Sequence, residues 1–506
     1  MTLVSHEGLG IIPRTILEQG TWTVAQYLLD LFKSKDADPD FRTKLMVVGY
    51  ENVGKSTLLD CLFPLEGLSV AHGVRKKSKL FRLQGTNLTL YHGPTAETGI
   101  DREVVFGDKV WSVSTFGDTG VRLTTQKKGA KDFELRAGTS GTREEWFHRF
   151  RRVCVNKVTH GIDIQTAIMD TPATRDHFAR RVKPAAPLRF SVWDFAGQHD
   201  FYNSHHFFLS TRAVFLVLWK ISDAAGMQGL EFWFASLATH VAPPSAASSS
   251  SSSPAAAVGN PAEFSVIVVG TFLDDPSVIK EDKSEREKTI VSLAEKHRVT
   301  CGIQYFEVSC SGSQMTNIDV LRDVIAISAL GHSYMEEKVP KAYLSLLGHL
   351  KERIRNKPTE APSGLSEIAS RSSLALDSPD SPIPASLPLV KVDDIVTFMT
   401  SDEAFVKRAL SISLWGECVY FDSHPELASM VVLDPRFLVK DILSDLFTCE
   451  PNVRQLTLNG KVKHESLAKN LDRISKEPFE SRGVLAHLSV SHETAPKYGC
   501  MLCHPR

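Results

Sequence analysis

A mostly parallel α/β sheet, interrupted by a small β-barrel and followed by a mainly helical region, is the fold class that this 506-residue sequence predicts. Three observations predict it. An apolar β-type run at 45–48 ends in a glycine turn and passes straight into helix-forming residues. Further apolar runs of strand length follow at 187–195, Ala213–Lys220, 264–270 and 305–308, with helical stretches at 230–241 and 317–330; this alternation builds a parallel sheet. Between the first strand and the others, residues 67–155 follow a different period, with short strand candidates divided by turn residues.

The turn after the first strand reads Gly-Tyr-Glu-Asn-Val-Gly-Lys-Ser, so Gly49, Gly54, Lys55 and Ser56 fill the four fixed places of G-x-x-x-x-G-K-[ST]. Glycines let the backbone curl until several N–H groups point inward, and the helix that follows starts with its positive end on the same spot. That is a phosphate-binding loop. Asn52, Val53 and Thr57 belong to the same curl, Lys55 adds a full charge toward the β- and γ-phosphates, and the Ser56 hydroxyl is placed to ligate Mg²⁺.

Bulk properties narrow the class. The formal net charge of −1 gives no overall bias toward nucleic acid. The first residues carry His6 and Glu7 where a signal peptide needs an apolar core, and no run approaches the ~18 apolar residues of a membrane span. A cytoplasmic protein is expected. The eight cysteines are scattered, with Cys61, Cys154, Cys310 and Cys418 in apolar runs, which suits reduced thiols. Cys500, Cys503 and His504 spell a haem-attachment pattern that this context makes a coincidence.

The 67–155 stretch predicts seven strands closed by an amphipathic helix at 142–153, with Trp146, Phe147 and Phe150 on one face. Its Lys-Lys-Ser-Lys-Leu-Phe-Arg-Leu-Gln-Gly-Thr-Asn-Leu-Thr-Leu-Tyr segment and late Arg-Glu-Glu-Trp-Phe-His-Arg-Phe resemble a pleckstrin-homology (PH) domain. The resemblance implies that Trp146 caps one end of a barrel and that the first hairpin meets phosphoinositide head groups. Lys77 and Lys79 match the family's K-x-[KR] pair, although arginine is usual at the second place, and Arg82 lies beside them. Arg75, Lys76, Lys127, Lys128 and Lys131 add to the charge. The other readings of the same charge are a solvated basic face and a protein-binding surface.

The interrupted fold then resumes. Thr159, ahead of Gly161 and an extended stretch, is the candidate second hydroxyl ligand of Mg²⁺. The 187–195 strand ends Trp-Asp-Phe-Ala-Gly-Gln, the D-x-x-G-Q arrangement. Here Asp194 holds Mg²⁺ through water, the Gly197 N–H meets the γ-phosphate, and Gln198 orients the attacking water, so Gln198 and Lys55 are the catalytic candidates. At the next strand end stands Thr271-Phe-Leu-Asp274. A carboxylate there accepts two hydrogen bonds from guanine N1 and N2, donors that adenine lacks. Phe272 stands where the common N-K-x-D form has lysine. Ser309 and Cys310 follow the last strand, in the place of the loop whose backbone touches the base.

In this order the motifs resemble the Roc GTPase domain of the Roco family, a Ras-like fold. Residues 339–343 (Val-Pro-Lys-Ala-Tyr) and 430–439 (Met-Val-Val-Leu-Asp-Pro-Arg-Phe-Leu-Val) resemble its companion COR domain. The expected layout is an N-terminal linker and helix at 1–40, a discontinuous Roc domain at 41–66 and 156–335, a PH-like insertion at 67–155, and a partial COR domain at 336–506 with a mobile loop at 358–388. A second loop is expected over the serine run at 243–254. The resemblance implies GTP/GDP and Mg²⁺ as ligands, a signalling-switch role, a Roc–COR homodimer and peripheral membrane recruitment through the PH-like module; slow hydrolysis is expected because no arginine finger is identifiable from the sequence. The alternatives are a regulatory fragment of a Roco Ser/Thr kinase and a nucleotide-dependent scaffold that hardly hydrolyses.

Overall fold

The computed structural model describes residues 12–13, 16–17, 19–34, 41–70, 78–106, 111–125, 132–155, 161–180, 187–197, 205, 208–223, 225–241, 264–278, 282–299, 303–311, 315–355, 389–399, 402–412, 418–420, 427–437, 457–458 and 461–462. The chain divides into two units, Phe41–His332 and a second formed by Met1–Asp40 with Ser333–Arg506.

In the first unit a six-stranded sheet carries the fold. Its strands are β1 (Arg42–Gly49), β9 (Ile162–Ile168), β10 (Arg189–Phe195), β11 (Ala213–Lys220), β12 (Phe264–Thr271) and β13 (Gln304–Glu307), in the spatial order β13-β12-β11-β1-β10-β9. All neighbours are parallel except β9, which runs antiparallel to β10 with Asp163 opposite Asp194. Central strands are buried on both faces, which is why β1, β11 and β12 read as continuous apolar runs and do not alternate. β1 lies between β10 and β11, with Leu45 facing Val192 on one side and Val214 on the other.

The helix Lys55–Leu62 follows β1 and leads into the inserted stretch. There, β2 (Leu65–Val70), β3 (Ser78–Gln84), β4 (Asn87–Tyr91) and β5 (Ile100–Val105) form one antiparallel sheet, and β6 (Trp111–Phe116), β7 (Gly120–Thr125) and β8 (Phe133–Arg136) form another. The helix Ser140–Val155 closes them. Trp146 lies edge-on to Phe81, ring centroids 4.6 Å apart, and both are buried with Phe106, Leu123 and Phe150 in one core. Gly67 makes room for the indole: a β-carbon there would stand 2.4 Å from Trp146 Cζ2.

Two helices of this unit carry weak apolar patterns that the sequence reading passed over. Pro172–Ala179 starts on a capping box between Thr171 and Thr174, and Lys283–Lys296 buries only Ile290 and Ala294. The helices Gly226–His240 and Ile318–Leu330 pack large apolar faces, including Trp233, Phe234, Leu321 and Ile325.

The second unit gathers the N-terminal helix Thr21–Lys33 with the helices Lys341–Arg355, Val392–Met399 and Glu403–Ile412. A small antiparallel sheet of β14 (Leu389–Lys391), β16 (Met430–Val432) and β15 (Val419–Tyr420) joins them. One core runs through Val24, Tyr27, Tyr343, Leu346, Val406 and Val431. Within it Tyr343 donates to Asp30 at 2.7 Å and Arg408 donates to the same carboxylate at 2.8 Å. The N-terminal helix, read from the sequence as a separate linker element, is thus tied to the C-terminal helices by a buried polar triad. The expected loops at 243–254 and 358–388 lie outside the described residues, as does all but two short strand pieces of the chain after 437.

Candidate nucleotide-binding site

β1, β10, β11, β12 and β13 are parallel, so their carboxyl ends share one edge of the sheet, where open α/β folds bind ligands. The 49–56 loop leaves β1 at that edge. Asn52 takes a φ of 58°, a left-handed conformation that Asn tolerates, and Gly54 caps the helix Lys55–Leu62 at φ 83°. The helix therefore points its amino end, with Val53, Lys55, Ser56 and Thr57 around it, at the space beside the loop.

Lys55 is buried, and its Nζ donates to the carbonyls of Gly49 at 2.9 Å and Tyr50 at 2.7 Å. Burial lowers its pKa to about 8, against the pull of Asp194 and Glu51. Ser56 Oγ donates to Asp194 Oδ2 at 2.6 Å. Burial pushes the Asp194 carboxyl upward, opposed by that hydrogen bond and by the Lys55 charge. A hydroxyl and a carboxylate side by side are hard oxygen donors of the kind Mg²⁺ takes, one or two from protein and the rest from phosphate and water. Gly197 closes on the same loop: a β-carbon there would sit 2.5 Å from Glu51 N, Tyr50 O and Lys55 Nζ, so only glycine lets the strand-end turn approach.

At the other end of the edge, Thr271 Oγ1 lies 2.8 Å from Val53 O and 3.0 Å from Trp219 O, its one proton shared between them. This threonine pins the 49–56 loop to β12. Asp274 is exposed and accepts from Ser309 Oγ at 2.7 Å, while Leu273 N donates to Val308 O at 3.1 Å. On the helix Lys55–Leu62, a hydrogen bond with Cys310 and then burial hold the Cys61 thiol far above its ordinary range. Phe272 takes a φ of 61°, strained for an aromatic residue, and Lys220 Nζ lies 4.7 Å from its ring centre. Sequence reading missed Lys220, whose only signal was a single charge ending an otherwise apolar strand.

The structure thus brings Gly49, Asn52, Val53, Gly54, Lys55, Ser56, Thr57, Asp194, Gly197, Thr271, Asp274, Ser309 and Cys310 to one edge of one sheet. Thr159 and Gln198 lie outside the described residues, as do Arg75, Lys76, Lys77, Lys127, Lys128 and Lys131. The described pair of the basic hairpin is already engaged. Lys79 donates to Asp101 at 2.8 Å, and Arg82 meets Glu66, its neighbour across β2 and β3, at 3.2 Å.

A family described as Ras of Complex, Roc, domain of DAPkinase matches residues 145–247. The match begins inside the closing helix Ser140–Val155 and leaves the 49–56 loop outside, on the far side of the inserted strands in sequence. Two Dictyostelium discoideum proteins are similar over most of the chain. Probable serine/threonine-protein kinase pats1 is 24% identical over 460 residues, covering 90% of this chain and 10% of that protein. Probable serine/threonine-protein kinase roco5 is 24% identical over 422 residues, covering 82% and 11%. The chain spans about a tenth of the length of these relatives. A solved structure of Methanosarcina barkeri Roco2 RocCORdC bound to GDP aligns over 90% of this chain and 93% of that one, with 13% identity and a TM-score of 0.45. These findings show similarity to a Roc domain over residues 145–247 and similarity to two Dictyostelium discoideum kinases over most of the chain.

Proposed function

We propose that this chain is a guanine-nucleotide switch that hydrolyses GTP slowly with Mg²⁺. The observation that carries the reading is the Ser56–Asp194 hydrogen bond beside Lys55, at one end of a strand edge whose other end presents Asp274 held by Ser309. In this reading Lys55 and the loop N–H groups hold the β- and γ-phosphates, and Ser56, Asp194 and Thr159 hold Mg²⁺. Gly197 meets the γ-phosphate, Gln198 orients water, and Asp274 reads guanine with Ser309 and Cys310 behind the base. Slow hydrolysis goes with a sequence in which no arginine finger is identifiable, since one supplies about 10³-fold or more.

The domain layout goes with this reading. Residues 67–155 form a PH-like module inserted between the two parts of the Roc domain, and 336–506 form a partial COR domain able to support a homodimer. The four-plus-three strands and a closing helix that buries Trp146 support the PH reading. Recruitment to an acidic membrane through Lys77, Lys79 and Arg82 has to compete with Asp101 and Glu66. Such exposed pairs are screened by water and contribute little, so phosphate groups can displace them.

Equilibrium binding of GDP, GTP and ATP, with Lys55→Ala as control, tests the core of the proposal. GDP and GTP are expected to bind at least a hundredfold more tightly than ATP, a difference of about 2.7 kcal/mol, and Lys55→Ala to lose them. Equal affinity for ATP overturns the guanine assignment. The kinase names of the relatives favour a second reading, in which this Roc–COR region regulates a kinase domain elsewhere in a longer protein.

A further inference from the structure

The helix that closes the inserted module, Ser140–Val155, is fastened to the helix that receives the phosphates. Asp60, one turn beyond Ser56 on the helix Lys55–Leu62, is buried among apolar neighbours. Arg149 Nε stands 3.1 Å from its carboxylate, and Arg152 Nη2 donates to the same oxygen. Arg149 also donates to the carbonyl of Phe63, just past the end of the phosphate helix. Arg152 has a further reach, its Nη1 lying 3.7 Å from Asp163 on β9. Asp163 is the register partner of Asp194, the carboxylate that holds Ser56. Two arginines of one helix thus touch both the helix behind the phosphate loop and the strand beside the metal-side carboxylate. The side chains of Arg149, Arg152 and Asp60 are 11%, 21% and 7% exposed, so water screens these pairs poorly.

We propose that Arg149 and Arg152 are positioning residues of the nucleotide site. Through Asp60 and Asp163 they make the inserted module a brace on the phosphate-binding helix and on the Mg²⁺ side of the pocket, so that the module's packing sets the rate of nucleotide release. The inference rests on the guanine-nucleotide reading above. An inserted module that only filled a loop could hang from two flexible strands of chain. Here its last helix presents two cations to one buried anion, an arrangement that fixes distance and orientation together.

The test is release of fluorescent N-methylanthraniloyl-GDP from the full chain into excess GDP, with Mg²⁺ and again in EDTA. Losing one side of a buried pair leaves the other charge unmatched, so Arg149→Met with Arg152→Met is expected to speed release on the order of tenfold in Mg²⁺. The gain in EDTA is expected to be smaller, which lowers the Mg²⁺-dependent ratio; a purely structural loss would speed both rates alike. Asp60→Asn is expected to act in the same direction and to add little to the arginine pair. Arg152→Lys, which keeps the charge and the fold but not the fork, is expected to fall between wild type and Arg152→Met, and it carries the test if the methionine variants do not fold. Arg122→Met, which breaks an exposed pair with Glu134 on the same module, serves as the control and is expected to match wild type.

Release within twofold of wild type for the arginine variants, or an unchanged Mg²⁺ ratio, overturns the brace. If the wild type shows no Lys55-dependent binding, it is the nucleotide reading that fails. If it binds normally and the arginine variants behave like wild type, the brace alone fails.

Discussion

Lys55 holds its charge against burial, and its behaviour with pH follows from that. Burial lowers its pKa to about 8, from the 10.5 of an ordinary lysine. The folded state therefore binds this proton less readily than the unfolded chain, and this group's contribution to stability rises with pH between about 8 and 10.5. Phosphates favour the charged ammonium, so nucleotide affinity runs the other way. GDP affinity measured from pH 7 to 9.5 is expected to fall by up to about tenfold per unit above pH 8, and this slope is expected to vanish in Lys55→Ala. A flat profile in the wild type would show that Lys55 carries no part of the phosphate charge. That Lys55, Ser56 and Asp194 come together was legible in the sequence, because Lys55 and Ser56 sit within one eight-residue motif and Asp194 stands at the end of a recognisable strand. Lys220 beneath Phe272 was not, because the two are neighbours only once β11 and β12 are paired.

At the scale of elements, the closing helix is the part on which the inserted module depends. Trp146 is 3% exposed and fills the space between Phe81 and the Gly67 backbone. Trp146→Ala is expected to cost about 3–5 kcal/mol of the module's stability, read as a lower denaturant midpoint by far-ultraviolet circular dichroism. A change under 1 kcal/mol would show that the indole is not part of that core. The strands of this module were readable from turn residues and alternation, and so were the long apolar strands of the main sheet. Pro172–Ala179 and Lys283–Lys296 were not, because a helix that buries one or two side chains leaves almost no periodic trace. Charge was the least legible property: Lys79 and Arg82 stood out as part of a basic hairpin, while Glu66 meets Arg82 across β2 and β3 and Asp101 reaches Lys79 from β5, two strands away in the sheet.

For the molecule as a whole, the N-terminal helix Thr21–Lys33 belongs with helices from far along the chain. Asp30 comes from the N-terminal helix, while Tyr343 and Arg408 come from helices hundreds of residues later, and the three share one buried network. No local pattern could have paired them. Asp30→Ala leaves Arg408 buried without its carboxylate and is expected to destabilise this unit by about 3–5 kcal/mol, seen as an earlier thermal transition. Adding Arg408→Met is expected to recover part of that loss, because no lone charge remains; a double variant weaker than Asp30→Ala would reject the ion pair as the cause. The position of β1 in the main sheet has a different consequence, for biogenesis. Its two neighbours, β10 and β11, leave the ribosome only after the entire inserted module has been made, whereas that module's own strands pair with near neighbours in sequence. During synthesis the nascent chain therefore completes its insert first, and β1 with the 49–56 loop waits, sheetless, for partners still to be translated.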